Sequence, residues 1–262
     1  MKLEVITHEP VGSSKTVPLL FVHGAWHGAW CWNEHFLPYF AEHGYASHAL
    51  SLRGHGESGI DKRLRVARVK DYVADVAAVA ADFDVPPMII GHSMGGLVTQ
   101  LYLENHPATA GVLLASDPVR GVLRTTLSVA RRHPLAFLKA NLTWDLYPIV
   151  STPSLAREAF FSEDLLDEVV AGYFERLQSE SYLAYLDMMF RLPKPDKVAV
   201  PMLVMGGEND TIFTPEEVRA TAAAYGTEAV IVPGVAHDMM LDTRWQSVAD
   251  RMLIWLEGLS EI

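Results

Sequence analysis

Met88-Ile89-Ile90-Gly91-His92-Ser93-Met94-Gly95-Gly96 carries a short apolar run straight into a helical pattern, through one serine with glycine two residues to either side. The run is too short for a helix and reads as a strand buried on both faces. The segment 94–105 has helical period and is closed by Pro107. So tight a turn forces the serine into a strained backbone conformation and lifts its hydroxyl above the sheet, while larger flanking residues would collide with the adjoining strand and helix. It also sets Ser93 at a helix N-terminus, where free N–H groups and the helix dipole favour a developing oxyanion. Ser93 is the candidate nucleophile.

Outward from this turn the alternation continues. Apolar runs at 19–22, 47–50, 112–115, 202–205 and 230–232 join 88–90 as strands, and a further edge strand is expected at 3–7. Helices are expected at 33–43, 71–83, 94–105, 215–224 and 242–257, with Thr214 as N-cap and Pro215 in the first helical position of the fourth. The pattern predicts an α/β fold with a mostly parallel, doubly wound sheet. It lapses over 119–197, where no strand pattern occurs and helical segments carry Phe137, Leu138, Trp144, Tyr147, Phe160, Phe161, Phe174, Tyr182, Tyr185, Met188, Met189 and Phe190. This stretch is expected to be a helical cap inserted into a core formed by 1–118 and 198–262. Pro193, Pro195 and Pro201 end it and return the chain to the sheet.

Composition narrows the function. The chain has 262 residues, half of them apolar, and a formal charge of −11, which suits a globular domain and disfavours a phosphate backbone as partner. A single cysteine, Cys31, excludes an intrachain disulfide or a thiolate metal cluster. Residues 1–10 carry Glu4, His8 and Glu9 where a signal peptide needs apolar residues, and no run reaches the roughly 18 apolar residues of a membrane span, so a soluble cytoplasmic protein is expected. Lys62, Arg63, Arg65, Arg68 and Lys70 read as a solvated basic face without a function.

A serine hydroxyl needs a base, and the base needs an orienting carboxylate. Gly206-Gly207-Glu208-Asn209-Asp210 follows the strand 202–205, at the end of a parallel strand where ligand-facing residues gather, and Asp210 is the candidate acid. Glu208 and Asp117 are its competitors, since an acid can reach the same histidine from either strand. Pro233-Gly234-Val235-Ala236-His237 follows the next strand, and of the 11 histidines only His237 has this place and order. An oxyanion hole needs two backbone donors: Met94, following the nucleophile, and Ala25, in the glycine-loosened loop His23-Gly24-Ala25-Trp26. His23 reads as a residue packing that loop. Trp26, His92 and Trp144 are candidate walls of a substrate pocket, and Trp30 and Trp32 are expected in the core.

The chain resembles the α/β-hydrolase superfamily in its serine esterase and lipase branch. The His23-Gly24 loop, the Arg53-Gly54-His55-Gly56-Glu57-Ser58 turn, the Ser93 elbow, Asp210 and His237 all fall in family order. Through His23-Gly24-Ala25-Trp26-His27-Gly28-Ala29-Trp30 it is also similar to the small plant esterase and hydroxynitrile lyase group. Lyase activity is associated with threonine where Gly24 stands and lysine where Asp238 stands, and a carboxylate there could not stabilise cyanide. Ser93 replaces the aspartate with which dehalogenases and epoxide hydrolases attack. The resemblance implies cleavage of carboxylic esters through an acyl-enzyme, with no metal or organic cofactor. The aromatic cap suggests a small-molecule ester with an apolar acyl group, such as a monoacylglycerol or lysophospholipid. A perhydrolase, a C–C bond hydrolase (for which Arg120, Arg124, Arg131 or Arg132 could hold a dienolate) and a slow-turnover ligand receptor are the alternatives.

Overall fold

The computed structural model describes residues 1–61 and 63–259. Lys62 of the basic segment lies outside them. Seven strands, β1 (Glu4–His8), β2 (Leu19–Val22), β3 (Ser47–Ser51), β4 (Met88–His92), β5 (Ala110–Leu114), β6 (Met202–Gly207) and β7 (Ala229–Val232), form one sheet in the order β1-β3-β2-β4-β5-β6-β7. β1 runs antiparallel to β3 at the edge, and every other pairing is parallel.

The uninterrupted apolar runs have a direct cause. Leu19, Phe21, Met88, Ile90, Val112, Leu114, Leu203 and Met205 face one core, under α1 (Trp30–Asn33), α2 (Phe36–Glu42) and α11 (Trp245–Leu259). Their strand neighbours Leu20, Val22, Ile89, Leu113, Met202 and Val204 face the other, under α3 (Val69–Ala80), α4 (Met94–Leu103) and α10 (Pro215–Ala224). A strand covered on both sides has no polar face to alternate with. Trp30, Trp32 and Cys31 are buried in the first core.

The helix expected over 33–43 is two, α1 and α2. A continuous helix would drive the Pro38 ring into the Glu34 carbonyl and leave that carbonyl without a donor, whereas in the first turn of α2 the missing N–H costs nothing. The last helix begins at Trp245, not Asp242, because the Asp242 carboxylate is engaged as an acceptor for the N–H groups of Ala236 (3.1 Å) and Arg244 (2.9 Å).

Between β5 and β6 lie five helices and no strand: α5 (Leu123–Arg132), α6 (Pro134–Thr143), α7 (Pro153–Phe160), α8 (Asp167–Phe174) and α9 (Tyr182–Phe190). Polar side chains fasten them to the core. Gln178 accepts from Gly56 N (2.9 Å) and donates to Gly54 O (2.9 Å), and its own N–H donates to Trp26 O (3.0 Å). Glu180 pairs with His55 at 3.0 Å and accepts from the Tyr72 hydroxyl at 2.7 Å. Asp187 receives the Arg68 guanidinium and the N–H of Val69. Arg68, just before α3, therefore joins the core to α9, which corrects the reading of its segment as a solvated face. No helix among the described residues is long and apolar enough to cross a membrane.

Candidate active site

The strand-to-helix turn at Ser93 is as tight as the sequence requires. Ser93 has φ +52° and ψ −122°, β4 ends at His92 and α4 starts at Met94. A Cβ on Gly95 would stand 2.4 Å from the carbonyl oxygens of Val22 and His23, so only glycine lets α4 lie this close to β2. The loop after β2 presses on Ser93 from the other side: a Cβ on Gly24 would meet His92 Nδ1 at 2.8 Å and Ser93 Cβ at 3.0 Å. A threonine at that position would not fit. Ala25 and Ser93 border the same chamber, and Met94, which follows Ser93, is buried.

Asp210 and His237 are brought together from the loops after β6 and β7. His237 Nδ1 lies 2.9 Å from Asp210 Oδ2, with both side chains buried. Asp210 Oδ1 accepts the N–H groups of Ile212 (2.7 Å) and Phe213 (3.0 Å), which fixes the carboxylate plane and aims the other oxygen at the ring. The histidine loop is held by Asn209 N to Val235 O (2.9 Å) and by Asp238 N to Phe160 O (2.9 Å). Burial works against the charged imidazole, yet the Asp210 carboxylate, with Asp238 beyond it, carries the proton affinity of His237 above its ordinary value.

The competing acids stand elsewhere. Glu208 is exposed and accepts from Gly234 N at 3.0 Å, bracing the histidine loop from outside. Asp117 is fully buried, its carboxylate has no hydrogen-bond partner, and burial pushes its pKa up to about 8. His23 fastens the loop after β2 to the segment after β3, with Nδ1 on Gly24 O (2.7 Å) and Nε2 accepting from Leu52 N (3.0 Å).

Above Ser93 opens a cleft of about 870 Å³, including its open mouth. Its walls are mainly apolar, with Trp26 from the loop after β2 and Phe137, Leu146, Phe160, Tyr185 and Met188 from the helical segment between β5 and β6. Arg132, His133 and Glu158 give it a charged rim, Glu158 lying 3.0 Å from each of the other two. Of the three expected pocket residues only Trp26 lines this cleft. His92 points into the core beneath the histidine loop, where its Nε2 meets His237 O at 3.0 Å and its ring packs on Trp32. Trp144 is 47% exposed and stacks on Tyr182 outside, turned there by the left-handed residue that ends α6. Phe160, one of the aromatics of 119–197, and Phe213 flank the His237 ring; Phe213 is a wall residue the sequence did not single out, since its distance along the chain from Ser93 gave no signal.

His92, His237 and Asp238 bring possible metal-ligand atoms within 4.8 Å of one another. Each already meets a neighbour through one atom, His92 Nε2 with the His237 carbonyl, His237 Nδ1 with Asp210 and Asp238 Oδ2 with His27.

A family model described as the Alpha/beta hydrolase family matches residues 19–251. The chain belongs to this family. The chain is 24% identical over 239 residues to a monoacylglycerol lipase of Mycolicibacterium smegmatis, covering 85% of this chain and 82% of that protein. It is 25% identical over 215 residues to a pFDCC methylesterase of Arabidopsis thaliana, covering 77% and 80%. The crystal structure of a bromoperoxidase from Bacillus anthracis superposes with a TM-score of 0.73 at 16% identity, covering 97% of this chain and 95% of that one. This alpha/beta hydrolase thus has esterase- and lipase-type relatives, and its fold is shared with proteins of other names.

Proposed function

We propose that this alpha/beta hydrolase is a serine carboxylic ester hydrolase that works through an acyl-enzyme. The observation that carries the reading is the buried His237–Asp210 contact of 2.9 Å, flanked by Phe160 and Phe213, two rings that line the same apolar cleft as the serine strained at φ +52°. In this scheme His237 takes the Ser93 proton as the hydroxyl attacks the ester carbonyl, and Asp210 holds the ring and stabilises its charged form. The N–H groups of Met94 and Ala25 receive the oxyanion, each worth roughly 3–4 kcal/mol of barrier. His237 then protonates the leaving alcohol, and water activated by the same ring releases the acid.

The apolar walls favour an ester with an apolar acyl chain, such as a monoacylglycerol or a lysophospholipid, with its polar end at the rim of Arg132, His133 and Glu158. Of the four cap arginines that could hold a dienolate, only Arg132 borders the cleft, and Glu158 already neutralises it. That weighs against C–C bond hydrolysis.

A fluorophosphonate probe should label Ser93, and Ser93→Ala should lose both labelling and hydrolysis of p-nitrophenyl esters. Labelling that persists in the variant overturns the assignment. A series of acyl chain lengths on the wild-type protein then reads the depth of the cleft: kcat/KM should rise from acetyl toward medium chains, with many turnovers per protein. A single burst followed by arrest would mark a receptor.

A further inference from the structure

One carboxylate beside His237 has no part in the acyl-transfer scheme. The Asp238 side chain is fully buried, and its Oδ2 lies 2.9 Å from His27 Nε2, on the loop after β2. Neither of its oxygens receives an aligned hydrogen bond, and a carboxylate so placed is tolerated only beside a cation. His92 Nε2 is 3.7 Å away, but burial and the nearby His237 push the pKa of His92 down to about 3. His27 fits the need. Its Nδ1 is 2.8 Å from Ala25 O, an acceptor, so an imidazole that also faces a carboxylate attractively must carry a proton on each nitrogen.

We propose that His27 and Asp238 form a buried charge pair that positions the oxyanion loop against the catalytic histidine. The proposal rests on the acyl-enzyme reading above. The pair closes a path from Ala25 O through His27 and Asp238 to His237, so that the oxyanion donor and the base are set by one contact instead of two independent loops. The loop needs such a tie. Gly24 leaves its backbone free to rotate, and Trp26 sits in the left-handed region at φ +65°. Phe160 O, accepting from Asp238 N, fixes the other end. His27 and Asp238 act through Ala25 and His237 and are positioning residues.

The pair also balances charge around His237, which is faced by Asp210 from the loop after β6, Asp117 from the loop after β5, His92 from β4 and Asp238 from its own loop. Removing His27 leaves Asp238 uncompensated and keeps His237 protonated to higher pH. Removing the Asp238 carboxylate does the reverse. A pair that merely filled space would move neither limb.

The test is hydrolysis of p-nitrophenyl butyrate across pH by wild type, His27→Gln, Asp238→Asn and the double variant, with thermal unfolding measured beside it. Each single change should lower kcat roughly 10- to 100-fold while KM stays within about 3-fold, and the double should fall no lower than the worse single. The acid limb of the profile should move up in His27→Gln and down in Asp238→Asn. If a single variant fails to fold, the double carries the test, because its two amides fill the same space without either charge; wild-type kcat in it shows that the charges do not position the loop and overturns the proposal. Unchanged kcat and acid limb in both singles, with wild type active and Ser93→Ala inactive, overturn the pairing alone. Activity that survives in Ser93→Ala overturns the acyl-enzyme reading beneath it.

Discussion

At the scale of single residues, the state of His237 sets the pH range of the proposed chemistry. Attack requires the neutral ring, and the carboxylates around it raise its proton affinity above the ordinary 6.5 despite burial, so the acid limb of kcat/KM should lie above that value. Asp210→Asn should move the limb to lower pH and reduce the rate about 10³- to 10⁴-fold, by loss of both the charge and the correct ring orientation. A pH–rate profile checks this, and a variant with the wild-type limb and rate would transfer the role to Asp117. Ser93 could be read from sequence because its strain comes from neighbours within a few residues. His92, adjacent to it and expected in the pocket, faces the core instead, because successive side chains at the end of a strand leave on opposite faces and composition does not say which.

At the scale of elements, β4, the Ser93 turn and α4 form a unit whose logic is local, whereas the attachment of the cap is not. Glu180, between α8 and α9, meets His55 of the Arg53–Ser58 turn at 3.0 Å with both side chains buried. Burial disfavours the charge on each, but each partner offsets that: His55 is raised from 6.5 and Glu180 is lowered from 4.5. The contribution of His55 is full below 6.5 and is lost as pH rises through its raised value, while that of Glu180 is full above 4.5 and is lost as pH falls through its lowered value. Glu180→Ala should therefore cost on the order of 3–5 kcal/mol, most of all between these two values and less on either side. Denaturant unfolding over a pH series measures it; a pH-independent loss would show that packing, not charge, fastens the cap. A helical insertion was legible in 119–197 from the lapse of strand runs. Its docking was not, because Gln178, Glu180 and Asp187 look like ordinary polar residues until the core is folded beneath them.

At the scale of the whole molecule, one buried acid makes the fold sensitive to alkali. Asp117 has no exposed surface and its carboxyl no hydrogen-bond partner among the described residues, and in the native state it holds its proton up to about pH 8, against 3.8 ordinarily. The native state thus binds more protons than the unfolded chain between these values, and stability must fall as pH rises through that interval. Asp117→Asn should raise the melting temperature, with a gain that grows from about pH 5 to about pH 8 to on the order of a few kcal/mol. Scanning calorimetry at both pH values decides; an equal gain at both would mean the native carboxyl is already ionised. The family fold hosts relatives of several names, so substrate choice lies in the cleft and not in the sheet. By itself the sequence determined the strand and helix alternation and the order of Ser93, Asp210 and His237, because period, turn chemistry and strand-end position are properties of short segments. Only the tertiary structure decided that Asp210 rather than Asp117 meets His237, that Trp144 faces solvent, and that His27 finds Asp238, because these depend on side-chain direction and on contacts between segments far apart in the chain.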